Sequence, residues 1–96
     1  MDEIVVQHEF DGKKGAFFVE KDAKHAAEMV YVMAGSKKMI IEHTEVDDSM
    51  KGLGIGVKLL NSLVDYVRAE GIKVIPLCPF AKAMFQKKVE IRDVLG

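Results

Sequence analysis

The stretch Lys51-Gly52-Leu53-Gly54-Ile55-Gly56 sets three glycines at alternate positions, directly before an apolar pattern of helical period. Glycine reaches positive φ and has no Cβ, so backbone N–H groups in such a turn can close on a ligand. The N-terminus of the following helix adds partial positive charge. The chemistry this favours is phosphate or pyrophosphate binding. A nucleoside-triphosphate loop requires Lys and then Ser or Thr after its last glycine, whereas Gly56 is followed by Val57-Lys58-Leu59. A dinucleotide site requires the glycines after the first strand of a doubly wound sheet, which this chain has no room to build. Three further side chains can move protons or attack a carbonyl. Glu42 and His43 precede the turn and Cys78 follows it. Imidazole accepts a proton near neutrality, and a thiolate is a strong nucleophile.

The elements that must position these residues follow from periodicity. Ile4 to Phe10 alternates, with Ile4, Val6, His8 and Phe10 on one face, and Asp11-Gly12-Lys13-Lys14-Gly15 turns the chain into a return strand over Ala16 to Glu20. His25 to Ala34 mixes the helix formers Ala26, Ala27 and Glu28 with the β-formers Val30, Tyr31 and Val32. A strand is assigned there, because Gly35-Ser36 then leads tightly into the β-like run Lys38 to Val46. Leu59, Leu60, Leu63, Val64 and Val67 mark one face of a helix from Gly54 to Glu70, with Gly71 as its C-terminal cap. Ile72 to Cys78 reads as a short buried strand in which Pro76 lacks a donor, so its neighbour separates there. Pro79 opens a helix over Phe80 to Lys88, and no element is assigned to Val89 to Gly96. The fold class is α+β: an antiparallel meander, then a right-handed β-α-β unit with parallel strands and a short C-terminal helix. The glycine turn thus falls at the carboxyl end of a strand.

In that setting Lys51-x-x-Gly54-x-Gly56 resembles the pyrophosphate motif of the GNAT N-acetyltransferase superfamily, usually [Gln/Arg]-x-x-Gly-x-[Gly/Ala]. Lys51 departs from the usual first residue but keeps a donor and a positive charge. Glu42-His43-Thr44-Glu45-Val46, the turn, and Cys78-Pro79-Phe80-Ala81-Lys82 together resemble small bacterial GNAT-like proteins of the YjdJ type, closely from Met39 to Lys88 and loosely before that. The resemblance implies that the strands ending near Val46 and Cys78 splay and admit the pantetheine arm of acetyl-coenzyme A. Backbone groups of Thr44, Glu45 and Val46 would bind its amides, and the turn from Lys51 through Gly52, Leu53, Gly54, Ile55 and Gly56 to Val57 its pyrophosphate. The implied activity is acetyl transfer to an amine, with a noncatalytic acyl-coenzyme A-binding or sensing module as the alternative.

Acetyl transfer from a thioester needs a base for the amine, a stabilised oxyanion and a proton for the departing thiolate. His43 is the first candidate for base and Glu42 the second; they lie on opposite faces of one strand, so both reach one cleft only across a bulge. Cys78 stands at the start of a helix, whose N-terminus favours a thiolate. It is a candidate acyl acceptor or proton donor, against the reading as a small buried hydrophobe. The resemblance supports a role for it, although most members of the superfamily transfer directly to the amine. Many also use a tyrosine on the helix after the second splayed strand, but this chain has only Tyr31 and Tyr66, neither in that segment. His8 and His25 are assigned to sheet packing, and no metal site is expected.

Composition bounds the rest. Ninety-six residues, 49% hydrophobic and 30% charged, suit one domain over residues 1–96 with a real core. A net charge of -1 argues against nucleic acid as a partner, and the pairs Lys13-Lys14, Lys37-Lys38 and Lys87-Lys88 read as solvated. The lone cysteine forms no internal disulfide, no apolar run approaches the roughly 20 residues of a membrane span, and Met1-Asp2-Glu3 does not open a signal peptide. The expectation is a cytoplasmic monomer or weak homodimer without membrane partners, acting on a small-molecule or peptide amine. A structural domain that binds a partner through its broken sheet edge is a third reading.

Overall fold

The computed structural model of the chain describes residues 4–96. Asp11 closes the first hairpin: its carboxylate accepts the N–H groups of Lys14 at 2.8 Å and Lys13 at 2.9 Å, and these bonds hold its pKa below the usual carboxylate range. They turn β1 (Gln7–Phe10) into β2 (Lys14–Lys21). A two-residue turn, Asp22-Ala23, with φ of 54° and 63°, leads into β3 (Lys24–Met33). Mirror-image turns of this kind match the twist of paired strands. The helix formers at the start of β3 are overruled because the segment has a strand on both sides, pairing with β2 and with β4 (Lys38–Val46).

The sheet order is β1-β2-β3-β4-β5, antiparallel through β4. Helix α1 (Ile55–Glu70) returns the chain so that β5 (Lys73–Pro76) runs parallel to β4. The helix ends at Gly71, whose φ of 68° places it in the left-handed region. Helix α2 (Pro79–Lys87) starts with Pro79 in its first turn and packs on β4 and β5. Met29, Tyr31, Met39 and Ile41 of the sheet meet Leu59, Leu63 and Val67 of α1 in the core. Residues of the opposite alternation, such as Glu9, Ala16, Glu28 and Val30, point away from α1.

The larger differences from the sequence expectation fall at the first strand, the fifth strand and the tail. The first strand begins at Gln7, not Ile4; Ile4 and Val6 pack on the core without joining the ladder. The fifth strand is Lys73–Pro76 and does not reach Cys78, because Pro76 cannot donate to the ladder. The N–H groups of Leu77 and Cys78 instead converge on the carbonyl of Ile41, at 3.0 and 3.3 Å. The tail, unassigned from sequence, forms a 3₁₀ segment over Val89–Val94 that buries Ile91 and Val94. Leu95 then bridges Val74 in parallel, and Gly96 N–H donates to the Val74 carbonyl at 3.0 Å.

Candidate active site

The site begins where β4 and β5 part. Their pairing ends at Ile41 with Pro76, yet β4 continues to Val46, still held by β3 on its other side. The stretch Glu42–Val46 therefore has no β5 neighbour, and a gap opens at the carboxyl end of the sheet.

The glycine turn lies directly beyond the open end of β4. A short 3₁₀ turn, Asp48–Met50, is capped by Asp47, whose carboxylate accepts the Ser49 N–H at 3.0 Å. The Ser49 hydroxyl, which also donates to this carboxylate, is the main reason the Asp47 carboxyl stays below its ordinary pKa, with the Ser49 N–H second. Gly52 and Gly54 have φ of 83° and 70°, where a side chain strains the backbone, and nothing lies within 4 Å of a Cβ built on either. Gly54 is the N-cap of α1 and supplies no side-chain acceptor. Among the described residues, no group accepts a hydrogen bond from the backbone N–H of residues 52–57. This is a set of unpartnered donors at a positive helix end, open to an anion. Gly56 serves packing instead: a Cβ there would lie 2.7 Å from Cζ of Phe80. Lys51 is exposed and pairs with Asp48 at 2.9 Å, and the hydrogen bond to Asp48 is the main cause of its raised pKa.

Cys78 stands across the gap. It is the N-cap of α2, and its buried sulfur accepts the Ala81 N–H at 3.3 Å. Thr44 Oγ1 lies 3.4 Å from the same sulfur, so β4 and α2 touch through these two side chains. Thr44 pairs with the core residue Met29 and shares its face of the sheet.

Glu42 and His43 are placed differently. The β3–β4 register slips between Val30 and Tyr31: Tyr31 pairs with Ile41 and Val30 with His43, which leaves Glu42 as the extra residue of a β-bulge. Both Glu42 and His43 are consequently exposed, the first 3.3 Å from Lys14 Nζ and the second 3.6 Å from Glu28. Plain alternation would have set His43 on the buried face; the bulge gives that face to Thr44 and Val46. The structure thus brings together Thr44, Cys78 and the glycine turn, and sets Glu42, His43 and Glu45 on the far side of β4. The contact between Thr44 and Cys78 was not foreseen from sequence, since only the bulge brings it about.

A family model described as GCN5-related N-acetyl-transferase matches residues 16–94. The chain belongs to this family. GNAT proteins of known structure share the fold: a GCN5-like protein from Staphylococcus aureus, 30% identical, superposes with a TM-score of 0.71 over 94% of this chain and 87% of its own. A GNAT family acetyltransferase from Elizabethkingia anophelis, solved with acetyl-CoA bound, is 11% identical, with a TM-score of 0.67 over 93% of this chain and 76% of its own. Among curated proteins, NATD1 of Xenopus tropicalis is 32% identical over 74 residues, 76% of this chain and 68% of that protein. The GNAT model spans β2 through the 3₁₀ tail and so includes every element of the gap. Among the described residues, no helix is long and apolar enough to cross a membrane.

Proposed function

We propose that this GNAT protein transfers the acetyl group of acetyl-coenzyme A to an amine. The observation that carries the reading is the open donor set at Gly52 to Val57, placed at the end of a gap whose other wall holds Cys78. Acetyl-coenzyme A supplies an activated thioester; the chain's part is to hold it. The pyrophosphate is read onto the N–H groups of residues 52–57, with Lys51 turned from Asp48 to the phosphates. The pantetheine is read along the free side of Thr44 to Val46. Acetyl-CoA in the Elizabethkingia anophelis relative supports the choice of cofactor. In the transfer, a bond forms from the acyl carbon to the amine nitrogen and the bond to the coenzyme sulfur breaks. The nitrogen loses a proton and the departing sulfur gains one. Cys78 is the side chain of this wall that is able to give that proton or to carry the acyl group first.

The test is a two-dimensional NMR titration with acetyl-coenzyme A, followed by intact mass and an amine-panel assay. Saturable shifts at residues 52–57 and 44–46 with acetylated product are expected, whereas no saturable shift ends the reading. A gain of one acetyl group that disappears in Cys78→Ala marks an acyl carrier. Lost turnover without any gain marks a proton donor.

A second reading, an acyl-coenzyme A-binding module without turnover, is favoured by the tyrosines. Tyr31 is fully buried, its pKa pushed up to about 12, mainly by burial. Tyr66 lies edge-on to His8, with ring centroids 4.6 Å apart. Both belong to the aromatic cluster between the meander and α1. Binding without product from any amine selects this reading.

A further inference from the structure

The face of the sheet away from α1 holds a cluster that lies outside the gap between β4 and β5. His25 Nε2 lies 3.7 Å from a Glu9 carboxylate oxygen, and its Nδ1 lies 3.1 Å from Glu28 Oε1. The other oxygen of Glu28 is 3.6 Å from His43 Nε2. Glu45 completes the group, since one ligand atom from each of Glu28, His43 and Glu45 lies within 4.8 Å of the others. A polar concavity of about 210 Å³ adjoins it, lined by His25, Glu28, Glu45 and Asp47 among others.

Two features mark this as more than a solvated acidic surface. Glu28 and Glu45 are direct cross-strand partners, and like charges in that position destabilise an antiparallel pair. Among the described residues, no lysine or arginine pairs with either; Lys14, on the same face, pairs with Glu42. The second feature is the bulge, which turns both His43 and Glu45 toward Glu28. Carboxylates whose neighbours are imidazoles rather than lysine or arginine form, with an imidazole nitrogen, a donor set for a cation with affinity for nitrogen.

We propose that Glu28, His43 and Glu45 bind a divalent transition-metal ion of the zinc type, with His25 orienting Glu28 from outside. Bonds of about 2.0–2.1 Å in a tetrahedral sphere set neighbouring ligand atoms roughly 3.4 Å apart. The separation of 3.6 Å between His43 and Glu28 needs little adjustment to meet that. Three protein ligands leave a fourth position for water. Magnesium and calcium fit less well, because they select oxygen over imidazole. The His25 contact to the far oxygen of Glu28 is the kind of outer hydrogen bond that fixes a ligating carboxylate.

The test is calorimetric titration of metal-free protein with zinc, alongside NMR of the histidine ring nitrogens, neither of which depends on acetyl transfer. One zinc per chain is expected, with the His43 ring resonances moving on binding. His43→Ala and Glu28→Gln should each weaken binding by at least about tenfold. Circular dichroism of both variants verifies the fold, and Cys78→Ala should bind zinc as the parent does. Absence of saturable micromolar binding overturns the proposal, as does binding undiminished in His43→Ala or lost in Cys78→Ala. If a polyamine moves these resonances and zinc does not, the face is an amine-binding surface and the metal reading fails.

Discussion

Cys78 combines two roles that substitution can separate. As N-cap of α2 its sulfur accepts the Ala81 N–H, and as part of the wall of the gap it faces Thr44. Serine caps a helix well, whereas alanine forfeits the cap at a cost of roughly 1 kcal/mol. Cys78→Ser is therefore expected to match or exceed the parent's urea midpoint while losing acetyl transfer, and Cys78→Ala to lose both with cofactor binding retained. Full turnover in the serine variant would remove the thiol from the chemistry. His8 makes a prediction of a different kind. Its ring stacks on Phe17 with centroids 4.1 Å apart and bonds the Tyr31 hydroxyl at 2.5 Å, and burial lowers its pKa from 6.5. With the folded value depressed, the unfolded chain takes up the proton first as pH falls. Stability from this site is thus complete above 6.5 and declines between that value and the lower folded one. His8→Gln, which cannot titrate, should show a smaller drop in urea midpoint over that window; identical pH profiles would show that His8 does not contribute.

At the level of elements, the bulge in β4 decides which residues meet. Deleting Glu42 removes the extra residue but leaves Thr44 and Val46 on the core face and His43 and Glu45 on the other. The fold should survive, because the lost ion pair to Lys14 is exposed and worth about 0–1 kcal/mol. The strand straightens, however, and follows β5 for longer. Acetyl-coenzyme A binding should weaken while the thermal midpoint barely moves; unchanged affinity would show that Pro76 alone opens the gap. This element also marks the limit of what sequence made legible. Leu59 to Val67 revealed α1, the three glycines the turn, and Pro76 the point where β4 and β5 part, because each signal is local. Glu42 and His43 show the condition for a shared face, a bulge, but nothing in the run Met39 to Val46 announces one. The grouping of Glu28 with His43 and Glu45 depends on the register between two strands. The tail was equally opaque, since Ile91 and Val94 have meaning only once α1 and α2 exist to cover them.

For the whole molecule, binding and folding are linked because the gap exists only in the folded chain. The turn comes from the β4–α1 connection, Thr44 from β4 and Cys78 from the start of α2, and these meet only when the β-α-β unit is assembled. The tail closes the same unit: Leu95 bridges Val74, and Arg68 of α1 holds Asp93 at 2.7 and 3.0 Å. A ligand of the gap therefore stabilises the native state and has no comparable site on the unfolded chain. At a hundredfold excess over its dissociation constant it contributes about 2.7 kcal/mol, which for a domain near 100 residues raises the thermal midpoint by roughly 10–20 °C. Acetyl-coenzyme A should produce such a shift. Gly54→Val should abolish most of it, because the new side chain opposes the φ of 70° and covers the N–H groups at the start of α1. That variant's own midpoint, read without ligand, separates strain in the turn from loss of binding. A midpoint indifferent to acetyl-coenzyme A in the parent protein would exclude the coenzyme from the gap, and with it both the transferase and the binding-module readings.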